Sequence, residues 1–170
     1  MKMKPLFQKS IFLVLLAVLT LSSCKKDSKS DPIIGTWTAG TTTFAATVGD
    51  KTLNQYFVDI MGLTQEQADS YTALYDQTLK QAFTGTITIK SNNTYTDNLG
   101  GTADSGTWSL NSDQTQLTIV SGTDGPTTMD VVELTSSKLR LHTSEIVPED
   151  LNSDGTDELI NVSIDVTFTK

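Results

Sequence analysis

A chain of 170 residues with 12 basic and 20 acidic side chains and a net charge of −8 is long enough for one ordinary domain. Its acidity excludes a basic stripe for nucleic acid, and its single cysteine excludes an internal disulfide or a cysteine zinc cluster. Threonine occurs 28 times, and β-branched residues favour half-buried pleated surfaces, so the composition points to β structure.

The first segment is a leader. Lys2, Lys4 and Lys9 form a positive head, and Ile11 to Leu21 is an 11-residue run without charge. A membrane-spanning helix needs roughly 20 apolar residues, so this run has the length of a signal-peptide core instead. It ends in Leu21-Ser22-Ser23-Cys24, which resembles the lipobox of bacterial lipoproteins: an apolar residue, two small ones, then cysteine. The resemblance implies a signal peptide over residues 1–23 and an acylated Cys24. Two or more acyl chains, at about 0.8 kcal/mol per buried CH₂, hold a protein on a membrane stably. The mature chain would span 147 residues with 9 basic against 20 acidic side chains, a net charge of −11. Lys25 to Asp31 is polar and small, and reads as a flexible tether completing the 24–31 segment. It resembles the export signals of surface lipoproteins in Bacteroidetes, although two lysines lead where those signals are richer in acidic residues.

The domain is expected over residues 32–170. Ile33 to Val48 is strand-like, with Gly35 and Gly40 as bend or bulge points. The period then changes: Leu53, Tyr56, Phe57 and Ile60 share one helical face, and Gly62 ends that helix. Thr64 and Gln67 form a capping box for a second helix to about Phe83, with Ala68, Tyr71, Tyr75 or Leu74, Leu79 and Ala82 along its stripe. From Thr84 the alternation is β to the end. The strands centre on Ile87, Tyr95, Trp108, Thr118, Val131, Leu141 and Ile164, separated by turn residues such as Asn92-Asn93 and Gly100-Gly101. With the first strand this makes eight. Short connections favour an up-and-down antiparallel meander, closing into a barrel with the helical pair inserted between its first two strands. An open sandwich of two four-stranded sheets is the alternative.

Gly35-Thr36-Trp37 resembles the G-x-W motif that opens lipocalins, and a second Gly106-Thr107-Trp108 follows inside the meander. The order of lipobox, polar tether, G-x-W and meander resembles the lipocalin-like lipoproteins of Bacteroidetes. That resemblance implies that Trp37 plugs the closed end of the barrel. It also implies a late arginine stacked on it, and Arg140 is the only arginine. Gly35, Trp37 and Arg140 are thus the expected closure set. The chain departs from ordinary lipocalins by placing helices early and by lacking a T-D-Y motif.

Asp150 to Glu158 resembles the D-x-[DN]-x-D-G loops of calcium-binding proteins. Calcium takes six to eight hard oxygens. Asp150, Asn152 and Asp154 would supply side chains, Gly155 the turn, Thr156 a carbonyl and Glu158 a further carboxylate. The twelfth loop position is Asn161, not glutamate, and the flanks are strand-like. A structural calcium ion pinning a hairpin is the functional reading, and a solvated turn the plain one.

Catalytic motifs are absent from the sequence: it has no G-x-S-x-G elbow, no H-E-x-x-H and no P-loop. His142 is the only histidine and alternates with Leu139 and Leu141. The expectation is a non-enzymatic lipoprotein of the outer membrane or cell surface whose barrel binds a small apolar or amphipathic ligand. No residue pattern singles out the ligand contacts. The competing expectation is a calcium-stabilised structural or adhesive module that meets protein or glycan through its outer face.

Overall fold

Hydrophobic period changes mark the element boundaries. The computed structural model describes residues 31–123 and 125–170. The leader and Cys24 lie outside them, as does the tether up to Ser30. The elements are β1 (Gly35–Val48), β2 (Lys51–Thr52), α1 (Leu53–Asp59), α2 (Gln65–Ala82), β3 (Thr86–Ile89), β4 (Thr94–Asp97), β5 (Asp104–Leu110), β6 (Gln116–Ser121), β7 (Gly125–Leu134), β8 (Lys138–Glu149) and β9 (Glu158–Thr169). A single 3₁₀ turn, Leu99–Gly101, joins β4 to β5.

β1 and β3 to β9 are the eight expected strands. Each pairs antiparallel with the next, and β9 returns to β1, so the sheet closes into an up-and-down barrel and the open sandwich is excluded. The two-residue β2 is an addition: it pairs with Thr47 and Val48 and delivers the chain into α1.

The barrel is not uniform along its axis. β1 pairs with β3 only over Gly35 to Thr38, whereas it pairs with β9 as far as Val48. On the other side, the β7–β8 pairing ends at Asp130 and His142, while β8 continues along β9 to Glu149. A three-stranded ribbon of β8, β9 and β1 therefore runs on past the point where its neighbours leave it.

One residue controls the phase of this ribbon. The β1–β9 register shifts between Ala39 and Thr42. Trp37 is buried before the shift, and Thr42 and Ala46 after it, so the inward face moves from odd to even positions. A β-bulge does this by adding one residue to one strand. Gly40 lies within the bulge, and a Cβ there would stand 3.2 Å from the Thr167 carbonyl oxygen.

Both helices begin with the reciprocal hydrogen bonds of a capping box, Thr52 with Gln55 and Thr64 with Gln67. α1 buries Leu53, Tyr56 and Phe57. Ile60, expected on that face, is 55 % exposed because the helix has ended and Ile60 is its C-cap. α2 is the thinner contact. Only Ala68 is buried, while Tyr71 and Leu74 are 51 % and 58 % exposed. Phe57 holds the pair together, its ring 5.8 Å from Tyr71 and 6.3 Å from Tyr75 between centroids.

Candidate functional site

At the closed end both indole N–H groups have a partner. Trp37 is fully buried and its indole N–H donates to the Ile33 carbonyl at 2.7 Å. The Trp108 indole N–H donates to Lys90 O at 2.9 Å. The cation over the Trp37 ring belongs to Lys170, whose Nζ lies 4.2 Å from the ring centroid and donates to the Pro32 and Ile34 carbonyls at 2.6 Å each. Gly35, at φ +139°, makes room: a Cβ there would come within 2.7 Å of Lys170 Cε. Arg140 alternates with buried Leu139 and Leu141, which places it on the outer side of β8, opposite Glu133 in register. The closure set is therefore Gly35, Trp37 and Lys170, and the expected stacking by Arg140 is corrected. Lys170 shares the inward phase of Val166 and Phe168, a signal that was present in the sequence.

Above this floor the lumen is nearly filled, leaving a cavity of about 80 Å³ among Ile87, Leu117, Leu141 and Phe168. It widens at the mouth into a cavity of about 520 Å³. Its floor is apolar (Phe83, Ile87, Ile119, Met129, Ile164), and its walls include Thr127 of β7 and Thr143 of β8. These two strands have no mutual pairing at this level, so the cavity lies in the gap between them.

The mouth carries carboxylates. Asp97 and Asp104 are direct cross-strand partners on β4 and β5 and share the phase of buried Tyr95 and Trp108. The Tyr95 hydroxyl donates to Asp104 at 2.7 Å. That bond, with others from the Ser105 backbone N–H and the Ser121 hydroxyl, holds the Asp104 carboxyl below its ordinary pKa. Asp97 moves the other way: burial raises its pKa, against the Leu99 N–H that donates to it at 3.1 Å, and nearby Asp104 adds to the rise. Like charges directly opposed across two strands are destabilising. Tyr95 itself is pushed up, first by burial and then by Asp104. Its ring has space because Gly106 faces it, where a Cβ would stand 3.0 Å from Tyr95 Cε1.

A second opening lies between α2 and the inner face of the ribbon. It measures about 460 Å³ and is lined by Phe44, Ala46, Leu74, Leu79, Val147, Ile160 and Val162, with Glu145 and Glu149 as its charged groups. Tyr75 donates to Glu149 at 3.1 Å. Glu145 borders both openings, so the mouth and the groove meet at one carboxylate. Sequence reading did not single out Asp97, Asp104 or Glu145. Each shares the two-residue phase of a core side chain, which is the signal that identifies an inward carboxylate.

The acidic loop is closed by protein donors. Backbone N–H groups of Asp154 and Gly155 donate to the Asp150 carboxylate at 3.0 Å each, and that of Thr156 to Asp154 at 2.8 Å. The Asn152 amide donates to Asp154 at 3.1 Å and to Glu158 at 2.9 Å. Glu158 also accepts from the Tyr56 hydroxyl at 2.6 Å and the Leu151 N–H at 2.8 Å. Loop, α1 and ribbon are thereby clasped together, and the Glu158 hydrogen bond is the main cause of the raised Tyr56 pKa. Among the described residues, no three His, Cys, Asp or Glu side chains stand in an arrangement that would hold a metal ion. His142 lies half-exposed on the opposite side of β8 from Leu141, its Nδ1 3.4 Å from Asp165.

No family model and no curated protein matches this sequence. A solved structure is similar: a DUF4847 family protein from Bacteroides vulgatus, crystallised and refined at 1.00 Å. It is 14 % identical over 79 % of this chain and 91 % of that one, with a TM-score of 0.39. At that score the likeness adds nothing to the reading of the site. The closed eight-stranded meander by itself fits a lipocalin-like fold.

Proposed function

We propose that this chain is a lipid-anchored envelope protein, at the outer membrane or cell surface, that binds a small apolar or amphipathic ligand without chemical turnover. One observation carries the ligand: the apolar-floored cavity of about 520 Å³ at the barrel mouth. Small-molecule sites are concave and mostly apolar, with volumes of roughly 300 to 1,000 Å³. The filled floor beneath it supplies rigidity. The anchor rests on Leu21-Ser22-Ser23-Cys24. Saturable binding of an apolar fluorescent probe at one site per chain, lost in Met129→Trp, is the expected result. No saturable binding by the folded chain would remove the ligand. Radiolabelled palmitate should enter the wild type and not Cys24→Ala; equal labelling would remove the anchor.

Calcium at Asp150, Asn152, Asp154, Thr156 and Glu158 belongs to the same reading as a structural ion. Support comes from the loop sequence and from the backbone turn around the Asp150 carboxylate. The ion would take the place of the Asn152 amide as the partner of Asp154 and Glu158. With calcium in tenfold excess over its Kd, the stabilisation is about 1.4 kcal/mol. The melting temperature should rise with Ca²⁺, fall with chelator, and lose that response in Asp154→Ala. A wild type indifferent to Ca²⁺ overturns it.

A structural or adhesive role has its own observation. Ile146 and Leu159 are 65 % and 62 % exposed on the outward side of the β8–β9 ribbon. A chain that bound no apolar probe, yet lost adhesion in Ile146→Lys, would favour that role over the ligand.

A further inference from the structure

The charged side chains bordering both openings are all carboxylates: Asp97, Asp104 and Glu145 at the mouth, Glu145 and Glu149 along the groove. Among the described residues, no lysine, arginine or histidine lines either opening. An anionic head would enter an apolar cleft whose every fixed charge repels it. A neutral head would leave Asp97 and Asp104 opposed across β4 and β5, with no cation to offset them. We propose that the ligand is a cationic amphiphile: an apolar body on the Ile87, Met129 and Ile164 floor, with an amine or quaternary ammonium head among Asp97, Asp104 and Glu145.

This assignment rests on the ligand-binding reading and narrows it to one chemical class. The cavity and its apolar floor carry the body, and the carboxylates decide only the head. Three features favour a positive head. The Tyr95 hydroxyl is already spent on Asp104, which leaves Asp97, among the described residues, with one backbone N–H as its hydrogen-bond donor. Low local dielectric strengthens an ion pair at a half-buried carboxylate relative to water. Glu145 stands where the mouth joins the groove, so a head held there leaves the apolar groove free for an alkyl chain.

The test compares three probes that share a dodecyl chain and differ in the head: dodecyltrimethylammonium, dodecyl sulfate and an uncharged ethylene glycol dodecyl ether. Each is titrated into the full chain below its micelle concentration. The ammonium should bind at least tenfold more tightly than either other head. An Asp97→Asn, Glu145→Gln double variant should abolish that preference while leaving the ether's affinity within twofold. Asp113→Asn, an exposed acid in the β5–β6 turn, controls for diffuse surface charge and should change nothing. Equal affinity for all three heads, or tightest binding of the sulfate, overturns the cationic class while the ligand-binding reading stands. A tenfold effect of Asp113→Asn equal to that of the double variant also overturns it. Failure of all three probes to bind removes the ligand-binding reading as well.

Discussion

The two ends of the barrel use the same alternating pattern for opposite purposes. At the closed end, inward positions are Ile33, Trp37, Ile89, Leu117, Leu139 and Phe168, all 3 % exposed or less. At the mouth, the same phase brings Asp97, Asp104, Ser121, Thr127 and Glu145 to a cavity. The fully packed side chains of the closed end sit where strands pair on both sides. The mouth is open because β7 leaves β8 and β3 leaves β1. Partial strand pairing thus separates a packed end from an open one.

The sharpest way to break this contrast is to hollow the closed end. Trp37→Ala should cost about 3 to 5 kcal/mol, read as a lowered urea midpoint, because a large buried aromatic is lost with little room to relax. A variant at the mouth, such as Ile164→Ala, should cost less, since its site already borders open space. Equal losses would dissolve the distinction.

The clasp between α1 and the β8–β9 loop comes next. Tyr56→Phe removes the hydroxyl that donates to Glu158 at 2.6 Å. A hydrogen bond to a charged acceptor contributes more than a neutral one, but solvent at the loop screens it, so about 1 kcal/mol is expected. Hydrogen exchange should quicken in α1 and the loop, and stay unchanged in β3 to β6.

Lys170 and Arg140 test the closure set directly. Lys170→Ala should cost about 1 kcal/mol, from the cation–π contact with Trp37 and two carbonyl hydrogen bonds. Arg140→Ala should stay within about 0.5 kcal/mol, as a surface substitution does. A larger loss at Arg140 would restore it as the closing cation.

The smallest effect is at the mouth. Asp97→Asn should leave stability unchanged or raise it by about 0.5 kcal/mol, because it relieves the opposed pair with Asp104. The sign with pH follows from the raised Asp97 pKa. Its folded form holds the proton more tightly than the unfolded chain, so Asp97 detracts from stability as pH rises from its unfolded to its folded value. Asp104 has the opposite sign: its depressed pKa stabilises above the unfolded value, and that contribution is lost as pH falls through the folded one. A cation held there should dissociate on acidification, starting above the usual carboxylate range as Asp97 protonates. Glu145 and Asp104 face the same cavity, and the Tyr95 hydroxyl stays protonated throughout. An affinity flat from pH 7 to about pH 4 would sink the assignment of Asp97.

Much of the fold was legible from local rules. The Thr64–Gln67 capping box, the switch from helical to alternating period near Thr84 and the turn at Asn92-Asn93 required only near neighbours, and all are present. The bend at Gly40 was legible as a position, though its effect on the inward phase was not, since that depends on the register of β9 opposite it. Ile60 was misplaced because a helical stripe says nothing of where the helix stops. The cation over Trp37 was misassigned because stacking depends on side-chain direction at two distant strand ends.

By itself the sequence determined the eight alternating strands, the early helical pair and the turn residues between them, since these follow from periods of 2 and 3.6 along a local stretch. It also set an acidic net charge, with 20 acids against 12 bases. Only the tertiary structure decided that β9 meets β1, that β7 and β8 part after Asp130 and His142, and that Lys170 covers Trp37. Those outcomes join residues up to 138 positions apart, as in the Lys170 to Pro32 hydrogen bond. Contacts at such separation depend on how barrel closure distributes strand lengths, a property of the whole sheet that no local window contains.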